Sequence, residues 1–254
     1  MMITRDDLRR MAARRKLNLG FLEKEYILEL VLRSLSADDE LRRVLVLKGG
    51  TALHKFYAGT RLSLDLDFTA SRPVTINELR PAVEVAEIGA VIAEYRAFHD
   101  ALTITRLRYL GPLRYTNSIK LDISFRETIL LPPTDLMVES AYGARFPVRV
   151  MQIAEIAAEK VRAFSMRQAP RDVYDLWIIA TRRLTTISQV AQLVPHKLQT
   201  VGLTLDLIAM TGHLAALEQV WRTDLVPLMA EVPEFSQVRD VMDPWLQELY
   251  DQCS

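Results

Sequence analysis

Hydrophobic residues follow a helical period at both ends of the chain and alternate in a strand-like way between them. After Thr4, residues 5–15 carry acids early and bases late, which predicts a capped helix. Apolar residues at helical spacing predict a second helix over residues 20–35. The chain is therefore expected to begin with a helical pair.

A buried strand is predicted next, over the apolar residues 44–48, and it ends at Gly49 and Gly50. A short helix is predicted over residues 51–57 and a second strand over residues 64–68. The predicted order is strand, glycine turn, helix, strand.

Residues 77–98 are rich in Ala, Val and Glu, and their pattern predicts a mostly helical segment. Residues 103–109 and 117–125 both alternate apolar with polar side chains, on either side of the turn signal Gly111-Pro112. This arrangement predicts a β-hairpin or a meander. The predicted strands thus cluster before residue 130.

The second half of the chain is predicted to be helical. Two prolines at 132–133 interrupt the chain, and a short extended piece, residues 146–150, follows them. Helical patterns then continue to Tyr250. We expect an α+β fold in which a mixed α/β domain, residues 1–150, precedes an all-helical domain, residues 151–254.

Composition excludes several classes of protein. The 254 residues contain 32 Lys plus Arg and 32 Asp plus Glu, so no global charge attracts the chain to nucleic acid or membranes. The one cysteine, Cys253, excludes an intrachain disulfide and a cysteine-based metal cage. No uncharged apolar run approaches the roughly 20 residues of a membrane span, and the charged N-terminus does not match a signal peptide. We expect a soluble, cytoplasmic protein that makes no membrane contact.

Asp65 and Asp67 are the first candidates for chemistry. Alternate side chains of a strand share a face, so both carboxylates are expected on one side while Leu66 and Phe68 face the core. Two neighbouring carboxylates share either a proton or a cation. Mg²⁺ suits such all-oxygen ligands because it binds through one or two carboxylates together with substrate phosphates. The plain alternative is a solvated strand end.

The glycine turn and a third acid extend this site. Gly49 and Gly50 leave a strand and enter a helix, where free N–H groups and the helix dipole favour a phosphate, although glycines also serve simply to turn a chain. Asp122 lies mid-strand on the same face as Lys120 and Ser124, where Asp is disfavoured. Three acids can hold two metal ions for in-line phosphoryl or nucleotidyl transfer.

These elements resemble the nucleotidyltransferase superfamily, whose signature is a glycine pair, a short helix, a strand with two spaced acids and a third acid on a later strand. More narrowly, the chain resembles the AbiEii/AbiGii toxin family, which includes the mycobacterial MenT toxins. The resemblance covers residues 47–177 and is carried by LKGGTALHKFY, RLSLDLDF, IKLDISF and EIAAEKVRAFSMRQAPRDVYDLW.

The resemblance implies a polymerase-β-like nucleotidyltransferase domain followed by a helical C-terminal domain. It implies a toxin of a toxin–antitoxin system that transfers nucleotides from an NTP to the 3′ end of tRNA, with two Mg²⁺ ions and a cognate antitoxin. Metal ligands would be Asp65, Asp67 and Asp122. The nucleotide would be bound by residues of the glycine turn, the D-x-D strand and the later helix: Gly49, Gly50, Thr51, Ser63 and Lys160.

The resemblance also implies a site acid in the segment RDVYD. We prefer Asp172 over Asp175 for this role. From the residues alone, Asp172 reads as an acid that is favoured at a helix N-terminus. Lys160 has no acid three or four residues before it, which weakens the reading as an ion pair within its own helix.

Arginines surround several of these segments. Arg106, Arg108 and Arg114 flank the predicted hairpin, and such clusters are either solvated faces or contacts for a phosphate backbone. His54 is expected at the edge of the core rather than on the nucleotide. Two other functions stay open, namely nucleotide transfer to a protein or small molecule, and a non-catalytic module that binds RNA or a nucleotide.

Overall fold

The computed structural model of the protein describes residues 3–57, 59–143 and 145–253. The chain forms two compact units, a first unit that ends at Met151 and a second unit that begins at Gln152. None of the helices in the described ranges has the length and apolarity needed to cross a bilayer.

The first unit is a mixed sheet with helices. Its helices are α1 (Arg5–Arg15), α2 (Leu19–Ala37), α3 (Asp39–Val44), α4 (Gly49–Phe56) and α5 (Ile76–Val83). Its strands are β1 (Leu45–Lys48), β2 (Asp65–Ala70), β3 (Val91–Ala97), β4 (Ala101–Leu110), β5 (Thr116–Ser124), β6 (Thr134–Glu139) and β7 (Arg145–Val150).

The described strands make one seven-stranded sheet in the order β3-β4-β5-β2-β1-β7-β6. Strand β2 runs parallel to β5, and β1 runs parallel to β7, while the other neighbours are antiparallel. Helix α2 packs on the apolar face of this sheet against β2, β5 and β7. Ile119, Leu121 and Ile123 of β5 are buried on that face, so the polar residues between them lie on the opposite face.

The second unit is helical in all of its described elements. Its helices are α6 (Ile153–Met166), α7 (Pro170–Thr181), α8 (Ile187–Gln199), α9 (Leu207–Ala216), α10 (Trp221–Leu225) and α11 (Phe235–Cys253). Helix α6 packs on α7 and α8, and α11 packs on α7, α8 and α9. Val161, Phe164 and Trp221 are among its fully buried side chains.

The α+β fold with a helical C-terminal part is confirmed, but the helix predicted over residues 77–98 is wrong in its second half. Helix α5 ends at Val83, and a short 3₁₀ helix, Ala86–Ile88, is followed by Gly89, whose φ is +53°. Residues Val91–Ala97 form β3 instead. Pairing with β4 outweighs the helix propensity of this segment. Strand β3 shows no apolar alternation because nearly all of its residues are exposed.

Strand β6 was also missed by the sequence pattern. Its residues, Thr134–Glu139, are mostly exposed, so they show no buried face. They pair with β7, which contains the predicted extended piece. The sheet therefore continues to residue 150 rather than ending near residue 130.

Candidate active site

One row of side chains crosses five strands on the polar face of the sheet. Asp67 of β2 is in register with Asp122 of β5, and Asp122 is in register with Thr103 of β4. Directly paired residues of neighbouring strands share a face, so the whole row points to one side. We call it the acid row, and from β1 to β3 it consists of Lys48, Asp67, Asp122, Thr103 and Arg96.

Asp65 lies on the same face, because it is two residues before Asp67 on β2. Leu66 and Phe68 are 0% and 2% exposed, which places the two acids opposite the core as alternation requires. Asp65 is in register with Lys120 of β5. The structure thus brings Asp65, Asp67 and Asp122 together on one face.

Asp122 is held by two neighbours. The hydroxyl of Thr103 donates a hydrogen bond to Oδ1 of Asp122 over 2.7 Å. The ammonium group of Lys120 lies 2.5 Å from Oδ2 of the same carboxylate. Because both oxygens have partners, the carboxylate is fixed in direction, and Lys120 offsets part of the negative charge that three acids create.

The glycine turn lies directly against this face. Gly49 has a φ of +72°, which is a left-handed conformation that favours glycine. A Cβ atom on Gly49 would lie 2.6 Å from Oδ2 of Asp67, closer than any real contact allows. The turn and the carboxylate therefore touch, and only a residue without a side chain permits this approach.

Gly50 makes a second close approach, to the loop that leads into β2. A Cβ atom on Gly50 would lie 2.7 Å from a guanidinium nitrogen of Arg61 and 3.0 Å from Oγ of Ser63. Arg61 is only 4% exposed and donates to the carbonyl of Leu62 over 3.0 Å. The sequence pattern did not single out Arg61. Its only indication in the sequence is that it lies two residues before Ser63, a predicted site residue.

Helix α4 begins at this turn. Lys48, its N-cap residue, makes no side-chain capping bond, so the first backbone N–H groups of α4 form a site that favours an anion. Thr51 is 2% exposed, and its hydroxyl donates to the carbonyl of Asp65 over 2.6 Å. The predicted phosphate contact of Thr51 therefore falls to its backbone N–H.

His54 of α4 contacts Glu25 of α2 and the backbone of Gly59. Its Nε2 lies 2.9 Å from Oε1 of Glu25, and its Nδ1 lies 3.2 Å from the carbonyl of Gly59. Burial raises the pKa of Glu25, but the hydrogen bond and charge of His54, with the charges of Arg15 and Lys55, outweigh burial and lower it to about 2. Glu25 is thus a carboxylate that ties α2 to α4.

Lys160 is buried in the second unit between two acids. Its ammonium group lies 2.9 Å from Oδ1 of Asp172 and 2.7 Å from Oδ2 of Asp175. The guanidinium of Arg167 adds a bond of 2.8 Å to Asp172. Burial raises the pKa of Asp172, but Lys160 and Arg167 outweigh it and lower that pKa to about 2. Both candidate acids of the RDVYD segment therefore contact Lys160.

A second buried ion cluster adjoins these helices, and sequence reasoning missed it. Lys197 of α8 is 1% exposed and lies 2.6 Å from Glu155 and 2.9 Å from Glu159. Arg162 also contacts Glu159, at 2.6 Å. The sequence does indicate this cluster in one way, because Lys197 occupies a core position of an amphipathic helix.

The donor set of the first unit fits a magnesium ion. Asp65 and Asp67 offer carboxylate oxygens on one face beside the helix N-terminus, and Mg²⁺ binds through one or two carboxylates plus phosphates. Asp122 is engaged with Lys120 and Thr103. In the described ranges, no group of three or more His, Cys, Asp or Glu is arranged to hold a metal ion.

The profile of one known family matches most of the chain. The profile of the family described as "Nucleotidyl transferase AbiEii toxin, Type IV TA system" matches residues 31–245. The chain belongs to the AbiEii family. As a family of nucleotidyltransferase toxins, AbiEii implies an NTP substrate and a cognate antitoxin for this protein. The match contains every predicted site residue.

Solved structures share the fold of this chain. MenT4, the nucleotidyltransferase toxin Rv2826c from Mycobacterium tuberculosis, is 22% identical with a TM-score of 0.61, and the match covers 99% of this chain and 93% of that chain. JHP933 from Helicobacter pylori is 18% identical with a TM-score of 0.56, covering 93% and 94%. A search of curated proteins gave no significant match.

Proposed function

We propose that this AbiEii chain is a Mg²⁺-dependent toxin that transfers nucleotides from an NTP to the 3′ end of tRNA in the cytoplasm. Such transfer blocks aminoacylation and hence translation, and the cognate antitoxin prevents it. The observation that supports the reaction is the contact of the glycine turn with Asp67, since it joins an anion-binding helix terminus to a carboxylate face. The tRNA acceptor rests on the family resemblance.

In the proposed reaction, the 3′ hydroxyl of the acceptor attacks the α-phosphate of the NTP, and pyrophosphate leaves. The N–H groups of Gly49, Gly50 and Thr51 bind the phosphates, and Ser63 lies beside them. Asp65 and Asp67 would hold the metal, and Asp122, fixed by its neighbours, orients the acceptor hydroxyl.

Two Mg²⁺ ions, when bound, neutralise phosphate charge and make the hydroxyl easier to deprotonate. The remaining predicted residues, Lys160 and Asp172, come from the second unit. There Lys160 is predicted to contribute positive charge for the triphosphate. A folded Lys160→Met variant tests that role through the KM for NTP, which should rise if the prediction is right.

The deciding experiment incubates the purified chain with Mg²⁺, total tRNA and each of four α-labelled NTPs in turn. An Asp67→Asn variant is run beside it, because Asn keeps the volume of Asp and removes its charge. We expect label in tRNA with the native chain and a loss of about a hundredfold or more in the variant. Undiminished transfer by a folded Asp67→Asn protein would refute the site.

The same gel separates the other functions. Label in the protein fraction or in a small-molecule fraction would assign a different acceptor on the same fold. Nucleotide or RNA binding that is indifferent to Asp65 and Asp67 substitution, without transfer of any NTP, would establish a non-catalytic module. Circular dichroism and thermal unfolding confirm that each variant is folded.

A further inference from the structure

The polar face that carries Asp65, Asp67 and Asp122 continues onto β4 and β3 as an exposed basic surface. Arg108 of β4 is in register with Ser118 of β5. Ser118, Lys120 and Asp122 alternate along β5 and share one face, so Arg108 lies on the face of Asp122. Arg96 of β3 ends the acid row itself.

Arg106 lies at a bulge of β4, near Arg108 and Arg96. Ile104 pairs with Leu121 and Leu107 pairs with Ile119, so two residues of β4 oppose one residue, Lys120. These two residues are Thr105 and Arg106, and Arg106 is exposed. We call Arg96, Arg106 and Arg108 the arginine face.

The guanidinium groups of the arginine face make few contacts with acids, although Glu94 of β3 is in register with Arg106. Within the described ranges, Arg106 and Arg108 make no side-chain hydrogen bond or ion pair, and Arg96 has one contact of 4.0 Å with Glu94. Several other arginines of the first unit do contact acids, as Arg42 does with Asp39 at 2.8 Å. Three exposed arginines with a single acid contact of 4.0 Å among them, on a chain of zero net charge, indicate a local binding surface for anions.

The position of the face gives the shape of its ligand. Neighbouring strands lie about 4.8 Å apart, so the acid row runs about 14 Å from Asp67 to Arg96. One exposed aromatic residue, Phe98, follows Arg96 by two positions and is 56% exposed. A ligand that meets all of these groups is a polyanion with stackable bases, whose end lies at the acids.

We infer that the 3′-terminal strand of an RNA acceptor lies across β5, β4 and β3, with its phosphates on the arginine face and its terminal hydroxyl at Asp67 and Asp122. This inference rests on the proposed function, because it takes RNA as the acceptor. Charge complementarity and continuity with the acid row favour RNA over a protein partner on this surface.

Direct RNA binding tests the inference without requiring transfer. Fluorescence anisotropy of a labelled tRNA transcript is measured at several salt concentrations with the full chain and with an Arg106→Gln, Arg108→Gln double variant. We expect Kd to rise about tenfold or more, and the slope of log K against log salt to fall by roughly 1.4, because each single-strand phosphate contact contributes about 0.7.

A matched control uses two arginines that are exposed but paired with acids on their own helix. Arg42 and Arg43 of α3 contact Asp39 and Glu40. The Arg42→Gln, Arg43→Gln double variant should keep the native Kd within about twofold. A Glu94→Gln variant should bind RNA more tightly at low salt, since it removes the acid that contacts Arg96 and is in register with Arg106.

The outcomes separate this inference from the proposed function. RNA binding by the Arg106 and Arg108 variant that equals binding by the control would overturn the arginine face, even if tRNA labelling by the native chain succeeds. Lost antitoxin binding with unchanged RNA binding would assign the surface to a protein and also overturn it. RNA binding that depends on the face, with no nucleotide transfer, would overturn the transferase proposal and leave the surface standing.

Discussion

At the scale of single residues, Gly49 combines two demands that only glycine meets. Its φ of +72° is costly for residues with a side chain, by about 1 kcal/mol. Its missing Cβ also leaves room for the carboxylate of Asp67. The second demand is specific to the site, because it concerns the position of a predicted metal ligand.

A Gly49→Ala variant separates the two demands. The added methyl would displace the Asp67 carboxylate, so we expect transfer activity to fall about tenfold or more, beyond a stability loss of about 1–2 kcal/mol. The measurement is nucleotide transfer together with urea unfolding.

The control for this variant is Gly89→Ala. Gly89 also has a left-handed φ, +53°, but its added Cβ would meet nothing within 4 Å. Gly89→Ala should lose similar stability and keep full activity. Equal activity of the two alanine variants would show that the contact with Asp67 does not matter.

Asp172 gives a pH dependence at the same scale. Its pKa is lowered from 3.8 to about 2 in the folded chain, so the stabilisation it gives is complete above about pH 4 and is lost as the pH falls through about 2. The shift corresponds to about 2 kcal/mol. We expect an Asp172→Asn variant to lose about that much at pH 7 and to show a shallower decline between pH 4 and 2.

Tryptophan fluorescence during urea unfolding measures this prediction. All three tryptophans, Trp177, Trp221 and Trp245, belong to the second unit and therefore report on the surroundings of Asp172. An Asp243→Asn variant removes an exposed ion pair with Arg239 and serves as the control. Identical pH profiles for the Asp172 and Asp243 variants would contradict the assignment.

At the scale of elements, helices α6, α7 and α8 are joined by charges that are buried among apolar side chains. Lys197 of α8 reaches two glutamates of α6, and Lys160 of α6 reaches two aspartates of α7. A buried ion pair adds little net stability, but removal of one partner leaves an uncompensated charge. The packing of the three helices thus depends on each cation being present.

A Lys197→Met variant tests that dependence. It keeps the apolar stem and leaves Glu155, which is 0% exposed, without its ammonium partner at 2.6 Å. We expect a loss of about 3–5 kcal/mol in the free energy of unfolding, measured by tryptophan fluorescence.

Two companion variants frame the result. Arg239→Met on α11 breaks an exposed pair and should cost less than about 1 kcal/mol. Adding Glu155→Leu to Lys197→Met should recover part of the loss, because an apolar pair replaces the charged one. No difference between Lys197→Met and Arg239→Met would show that the cluster does not stabilise these helices.

At the scale of the whole molecule, the sequence predicted features that depend on local periodicity. Alternation alone places Asp65 and Asp67 opposite Leu66, and it places Asp122 with Lys120. The glycine turn into a helix and the hairpin of β4 and β5 follow from residue type and spacing in the same way. The roles of these residues in catalysis stay predictions.

Features that depend on distant partners could not be predicted. The parallel pairing of β2 with β5, which sets Asp67 beside Asp122, joins segments more than 50 residues apart. Strand β3 lacks a buried face and owes its existence to its neighbour. Arg61 and Lys197 are charged residues whose burial only the folded chain explains.

The register of the acid row also restricts how the gene can change by insertion or deletion. Within β5, one inserted codon ahead of Asp122 would turn its carboxylate to the apolar side, whereas two would restore its direction and shift it along the strand. In the loops between strands, an odd number of inserted residues does not reverse the direction of the strand side chains. Gaps in descendants of this gene should therefore accumulate in the loops and should come in even numbers inside β2 and β5.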